Sequence, residues 1–160
     1  MAEPPVVDAS PLVVLAKAGE LELLKLEGEP VMVPDEVARE VRAHSSDAAI
    51  HALDSQAWLK PTPSPNIPQI IQAWDLGPGE SSVLAWAHAH PGAVAIIDDL
   101  AARRCCAALS LPYRGCLGLA LLAKKRGLVS SARPVVEELR RAGLYLSDEV
   151  IRHAVSVVGE

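Results

Sequence analysis

Ala93-Val94-Ala95-Ile96-Ile97-Asp98-Asp99 is a run of five apolar residues that stops abruptly on two carboxylates. An unbroken apolar run of this length matches a strand buried on both faces, as parallel sheets require. Pro5-Val6-Val7-Asp8 repeats the pattern on a smaller scale and also ends on a carboxylate. Pro30-Val31-Met32-Val33 and Pro112-Tyr113-Arg114 are further strand candidates. Helical patterns separate these runs. Ser10 and Pro11 supply a hydroxyl for an N-cap and a proline for the first helical position, and the apolar stretch that follows stops at Gly19. Pro34 opens a helix over residues 35–42 in which Val37 and Val41 share a face. Residues 43–57 read as a weaker helix, and residues 67–74 as a short one. Asp75-Leu76-Gly77-Pro78-Gly79 is a turn cluster feeding a helix over 80–90. A helix follows Asp99, and three more are expected over 117–126, 133–142 and from Asp148 onward, the last capped by Ser147.

Strands alternating with helices specify an α/β fold, a three-layer sandwich whose central parallel sheet of four to five strands is covered on both sides. The 160 residues, half of them hydrophobic, suit one domain over 1–160 with a core of its own. The sequence PTPSPNIP at 61–68 reads as an extended connector, too short to separate domains. No apolar run reaches the roughly 18 residues of a membrane span, and the start MAEPPVVDAS lacks a signal peptide's pattern, so a cytoplasmic location is expected. Cys105, Cys106 and Cys116 match neither a disulfide framework nor a zinc site and are expected to be buried and apolar.

Fifteen basic against twenty acidic side chains give a net charge of −5, which excludes a broadly basic nucleic-acid coat. The charge is segmented, with −8 over residues 1–97, +5 over 98–145 and −2 over 146–160. Most of the acids lie on polar helix faces or loops and need no chemistry. Asp8, Asp98 and Asp99 differ, because each follows a buried strand and so lies at the carboxyl edge of the sheet, where open α/β folds bind ligands. Glu80 sits in the first turn of a helix, beside its positive dipole end. Glu36 and Glu40 lie four apart on one helix face, and either is a candidate for that helix's contribution to a site. Carboxylates converging there repel one another, which raises their pKa values unless a cation intervenes. Oxygen ligands without His or Cys select hard ions, so Mg²⁺ or Mn²⁺ is expected. Such a centre suits phosphodiester hydrolysis by metal-activated water.

The order Val-Val-Asp8-Ala-Ser10-Pro-Leu, Val-Pro-x-x-Val37-x-x-Glu40-Val, Gly79-Glu80-Ser-Ser-Val-Leu-Ala and Ile-Ile-Asp98-Asp99-x-x-Ala102-Arg103 resembles a PIN domain. It is most similar to the bacterial and archaeal branch related to VapC-type toxins, which the tail from Gly115 through Gly127 to the Glu-Leu-Arg-x-Ala-Gly helix also resembles. The resemblance implies a Mg²⁺- or Mn²⁺-dependent endoribonuclease with Asp8, Glu40, Glu80 and Asp99 as its four acids. It implies Asp8, Glu80 and Asp99 as metal ligands, with Asp98 a partial substitute and Glu40 acting indirectly or orienting water. Ser10 matches a hydroxyl position near the metal, and Arg103 is a candidate contact to substrate phosphate. A homodimer, an RNA substrate and a small antitoxin protein are the implied partners.

Other readings are weaker. Ile96-Ile97-Asp98-Asp99 could open a phosphoacceptor receiver domain, but the 61 residues after Asp99 are too few for that fold. A PIN-like chain acting only as a dimerisation or protein-binding module has no use for four mutually repelling acids, and a metal-dependent DNA nuclease stays open. His44, His51, His88, His90 and His153 have no metal spacing and are expected to be solvated, and Trp58, Trp74 and Trp86 are expected to anchor packing.

Overall fold

A computed structural model describes residues 2–44 and 47–160. Its strands are β1 (Val6–Val7), β2 (Val31–Pro34), β3 (Leu59–Thr62), β4 (Ala95–Ile96) and β5 (Tyr113–Arg114). Every pairing is parallel and the strand order is β3-β2-β1-β4-β5. The expected α/β architecture is therefore present, with five strands. Strand order reverses between β1 and β4, which pair Val6 with Ala95 and Val7 with Ile96. A crevice at the carboxyl ends of two such strands is where this class of sheet binds ligands.

The helices are α1 (Ala9–Ala18), α2 (Asp35–His44), α3 (Asp47–Ser55), α4 (Gln69–Gln72), α5 (Pro78–Ala89), α6 (Leu100–Ala108), α7 (Cys116–Lys125), α8 (Arg133–Arg141) and α9 (Asp148–Val157). A 3-10 helix, Leu21–Glu27, bridges α1 and β2. The apolar face predicted for α2 is real, since Val37 and Val41 are both buried. Gly19 ends α1 in the left-handed conformation, φ 73°, which a residue with a Cβ adopts only at a cost. Ser147 caps α9 as expected, its hydroxyl accepting the Val150 N–H at 3.1 Å.

Several boundaries differ from the sequence reading. Asp8, not Ser10, is the residue that caps α1, because the chain is still extended at Asp8, φ −85° and ψ 164°, and turns helical at Ala9. Pro11 then occupies the third helical position, where its missing N–H still costs nothing. Pro61 and Thr62, read as connector, belong to β3. That strand lies at the edge of the sheet and pairs only with β2, so a proline there breaks no ladder on its other side. Gly77 caps α5, and Pro78 and Gly79 form its first turn rather than a preceding loop. The weak helix expected over 43–57 is α3, with Ala49 and Ala52 as its buried residues; Ser45 and Ser46 within that expectation lie outside the described residues.

One apolar cluster runs from Val6 in β1 to Val155 in α9 and contains β1, β4, Leu12 and Leu15 of α1, Val83 and Leu84 of α5, and Leu119 of α7. The three cysteines are free and fully buried, as expected. Trp86 is buried and stacks on His90 at 3.7 Å between ring centroids, so His90 is half-buried rather than solvated. Its Nδ1 also lies 2.8 Å from the Trp86 carbonyl oxygen.

Candidate metal centre

Asp8 follows β1 directly and is 4% exposed. Its Oδ1 is buried with no hydrogen-bond partner among the described residues. Such a group is costly, since an ionised carboxylate loses its water without a replacement. The cost raises its pKa from 3.8 to about 7, chiefly through burial, with the charges of Glu80, Glu40 and Asp98 adding to it and the Ala9 N–H opposing. Asp8 is thus a buried carboxylate that no donor among the described residues satisfies at Oδ1.

The neighbours come from three other elements. Glu80 stands at the third position of α5, half-buried, where the helix N-terminus favours negative charge. Its pKa is also raised, by burial first, then by the charges of Asp99 and Glu40 and by a side-chain hydrogen bond with Asp99. Asp99 follows β4 and caps α6, one oxygen accepting the Ala102 N–H at 2.9 Å. Glu40, exposed, comes from the middle of α2. Gly79 locates it: a Cβ built there would stand 3.1 Å from Glu40 Oε2 and 3.6 Å from Asp8 Oδ1. A side chain there would press on the Glu40 carboxylate, so glycine leaves the most room between the two acids.

Of the pair left open by sequence, Glu40 lines the cavity with Asp8 and Glu80, while Glu36, half-buried, pairs with Arg39 and lines the adjoining pockets instead. Ser10 is exposed and lines the same cavity of about 370 Å³. Asp98 has a different employment. Its Oδ1 accepts the Cys116 N–H at 2.9 Å and its Oδ2 lies 3.0 Å from Cys116 Sγ, so it ties β4 to the start of α7. A Cβ on Gly115 would come within 2.6 Å of that Oδ1. Arg103, in α6, lies on the Asp98 side of the crevice, its guanidinium 5.3 Å over the Tyr113 ring. Of the lysine-arginine run at the end of α7, Lys124 donates to the Ser130 carbonyl and Arg126 to the Leu26 carbonyl, which are structural tasks.

Sequence reasoning passed over Gly79, which it took for a turn residue, and His44, which lines the acidic cavity. The signal for His44 was its place four residues after Glu40, on the same helix face. Gly79 offered only its position immediately before Glu80.

Among the described residues no three acidic, His or Cys side chains are gathered tightly enough to enclose an ion as they stand. The residues nevertheless fit a hard divalent cation on three counts: an orphaned buried oxygen on Asp8, a gap kept open by Gly79, and an all-oxygen donor set.

No curated protein and no solved structure matches the chain. A family model does, that of DUF3368, a PIN domain, over residues 4–160. With nearly its whole length matched, and with a parallel five-stranded sheet that carries acids after the carboxyl ends of its central strand β1 and the adjacent β4, the chain belongs to this PIN-domain family and has its nuclease-type fold.

Proposed function

We propose that the protein is a Mg²⁺- or Mn²⁺-dependent endoribonuclease of VapC-like type, acting as a homodimer and held in check by a small antitoxin protein. The observation that carries the reading is Asp8: a scaffold would not keep a carboxylate oxygen buried and unpartnered, with the charges of three more acids acting on it. In this reading Asp8, Glu80 and Asp99 hold the cation, and Glu40, reaching across Gly79, orients the attacking water. Asp98 positions Asp99 by anchoring the strand end to α7. The bound ion supplies Lewis-acid stabilisation of the phosphoryl group and activation of water. Ser10 offers a hydroxyl at the cavity mouth, and Arg103 offers a cation to the phosphate chain.

The test is cleavage of single-stranded RNA in Mn²⁺. Activity is expected with the ion and none in EDTA; cleavage that persists in chelator would overturn the mechanism. A dimeric mass in light scattering at micromolar concentration is expected, and a monomeric one removes the homodimer from the proposal.

A further inference from the structure

A second groove, of about 420 Å³, has Asp98 in its wall and shares no lining residue with the acidic cavity. Its walls come from α6, β5, α7, α9 and the turn before α9, and they include Arg103, Tyr113, Leu117, Tyr145 and Val150. Three of its features are unusual for an ordinary surface. Tyr145 is 93% exposed, with almost no packing of its own. Tyr113 is also exposed, and Arg103 lies over its ring. Arg103 has no acidic partner among the described residues, whereas its neighbour across the groove, Arg114, is paired with Glu27. The groove therefore combines a guanidinium without an acidic partner, two aromatic rings and apolar side chains, and Asp98, which lines it, immediately precedes Asp99.

We propose that this groove seats an unpaired nucleobase of a single-stranded RNA beside the scissile phosphate, with Tyr145 stacking on the base and Arg103 contacting the adjoining phosphate. The proposal rests on the ribonuclease reading for the position of that base. The chemistry favours this occupant over a protein segment. An aromatic face and a cation at one site match the alternating base and phosphate of a nucleic-acid strand. The base must be unpaired, because an A-form duplex keeps its bases stacked internally and exposes mainly shape and 2′-hydroxyls. Stacking tolerates any base, so the site selects for single-strandedness more than for sequence. Leu117 and Val150 supply the apolar edge against which the far side of the ring rests.

The experiment uses a single-stranded RNA octamer carrying 2-aminopurine at successive positions, titrated with the full chain in Ca²⁺, and cleavage of the same octamer in Mn²⁺. Stacking is expected to quench the fluorescence at one position next to the cleaved bond. Tyr145→Ala is expected to bind about ten-fold more weakly and to raise KM with little change in kcat, while Tyr145→Phe, which keeps the ring, behaves as wild type. Tyr145 is 93% exposed, so neither variant endangers folding. If the wild type cleaves but Tyr145→Ala binds and quenches unchanged, the base site is overturned and the nuclease reading stands. If the wild type fails to cleave yet quenching depends on Tyr145, the base site stands and the nuclease reading falls. Absence of quenching at every position, with a protein captured on the groove instead, overturns the proposal.

Discussion

At the scale of single residues, Asp8 sets stability against function. Its folded-state pKa lies near 7, above the ordinary value of 3.8. For a group raised in this way, the native state binds more protons than the unfolded chain between those values. The stability it contributes is complete below about 3.8 and is lost as the pH rises through about 7. Asp8→Asn removes the charge, so the metal-free variant is expected to melt higher than wild type at pH 8, by a margin on the order of a few kcal/mol, and to gain nothing at pH 4. The same variant is expected to lose cleavage entirely. Thermal melts at the two pH values, with and without Mn²⁺, check both halves; a lower Tm at pH 8 would refute the burial argument. Gly79→Ala makes the complementary point. Alanine suits the first turn of α5 as well as glycine does, but its Cβ fills the gap between Glu40 and Asp8. Folding is expected to survive with Tm nearly unchanged, while Mn²⁺ affinity, read by calorimetry, falls at least ten-fold. Of these two residues, Asp8 was legible in the sequence because a carboxylate ending an apolar strand is a local pattern. Gly79 was not, because its role depends on a helix 40 residues away in the chain.

At the scale of elements, the helices are held at their ends by side chains from distant segments. Glu160 illustrates this: its carboxylate accepts the Ser131 hydroxyl and the Ala132 N–H, each at 2.6 Å, and the Arg133 N–H at 3.2 Å, closing the N-terminus of α8. These donors hold its pKa down to about 2 from 4.5, the Ser131 bond contributing most. For a depressed carboxylate the stability is present above about 4.5 and is lost as the pH falls through about 2. Glu160→Gln is therefore expected to speed amide exchange in the first turn of α8 at pH 7, and to differ little from wild type near pH 2. Equal exchange at pH 7 would remove the clamp. Gly115→Ala tests the other tie, in which Asp98 holds Cys116. With a Cβ only 2.6 Å from Asp98 Oδ1, the side chain must move and both Cys116 contacts loosen. A loss of roughly 1–3 kcal/mol in denaturant unfolding is expected, as for other overpacked sites. The sequence placed the helices well because their apolar spacing and caps are local. It misjudged β3, whose edge position lets it include Pro61, and it could not assign Asp98 to α7, 18 residues further along.

At the scale of the whole molecule, a net charge of −5 coexists with membership of a nuclease-type fold. The acids concentrate at one crevice, whose field repels phosphate until a cation reverses it. RNA affinity is accordingly expected to depend on the divalent ion itself, falling at least ten-fold in EDTA even for a non-cleavable substrate, as read by fluorescence anisotropy. An affinity indifferent to EDTA would show that the acids do not govern substrate entry.

The sequence by itself determined the alternation of buried strands and helices, and with it the parallel sheet and the carboxylates at the ends of β1 and β4. Those features follow from periodicity and from where an apolar run stops, which neighbouring residues decide. Tertiary structure alone decided that Glu40 faces Asp8 across Gly79 while Glu36 pairs with Arg39, and that Asp98 is drawn to Cys116 while Asp99 stands beside Glu80. Each choice is between two carboxylates with nearly the same local sequence. It turns on which helix face or strand-end oxygen meets a neighbour brought in from elsewhere in the chain, and that is fixed only by packing α2, α5 and α7 around the sheet.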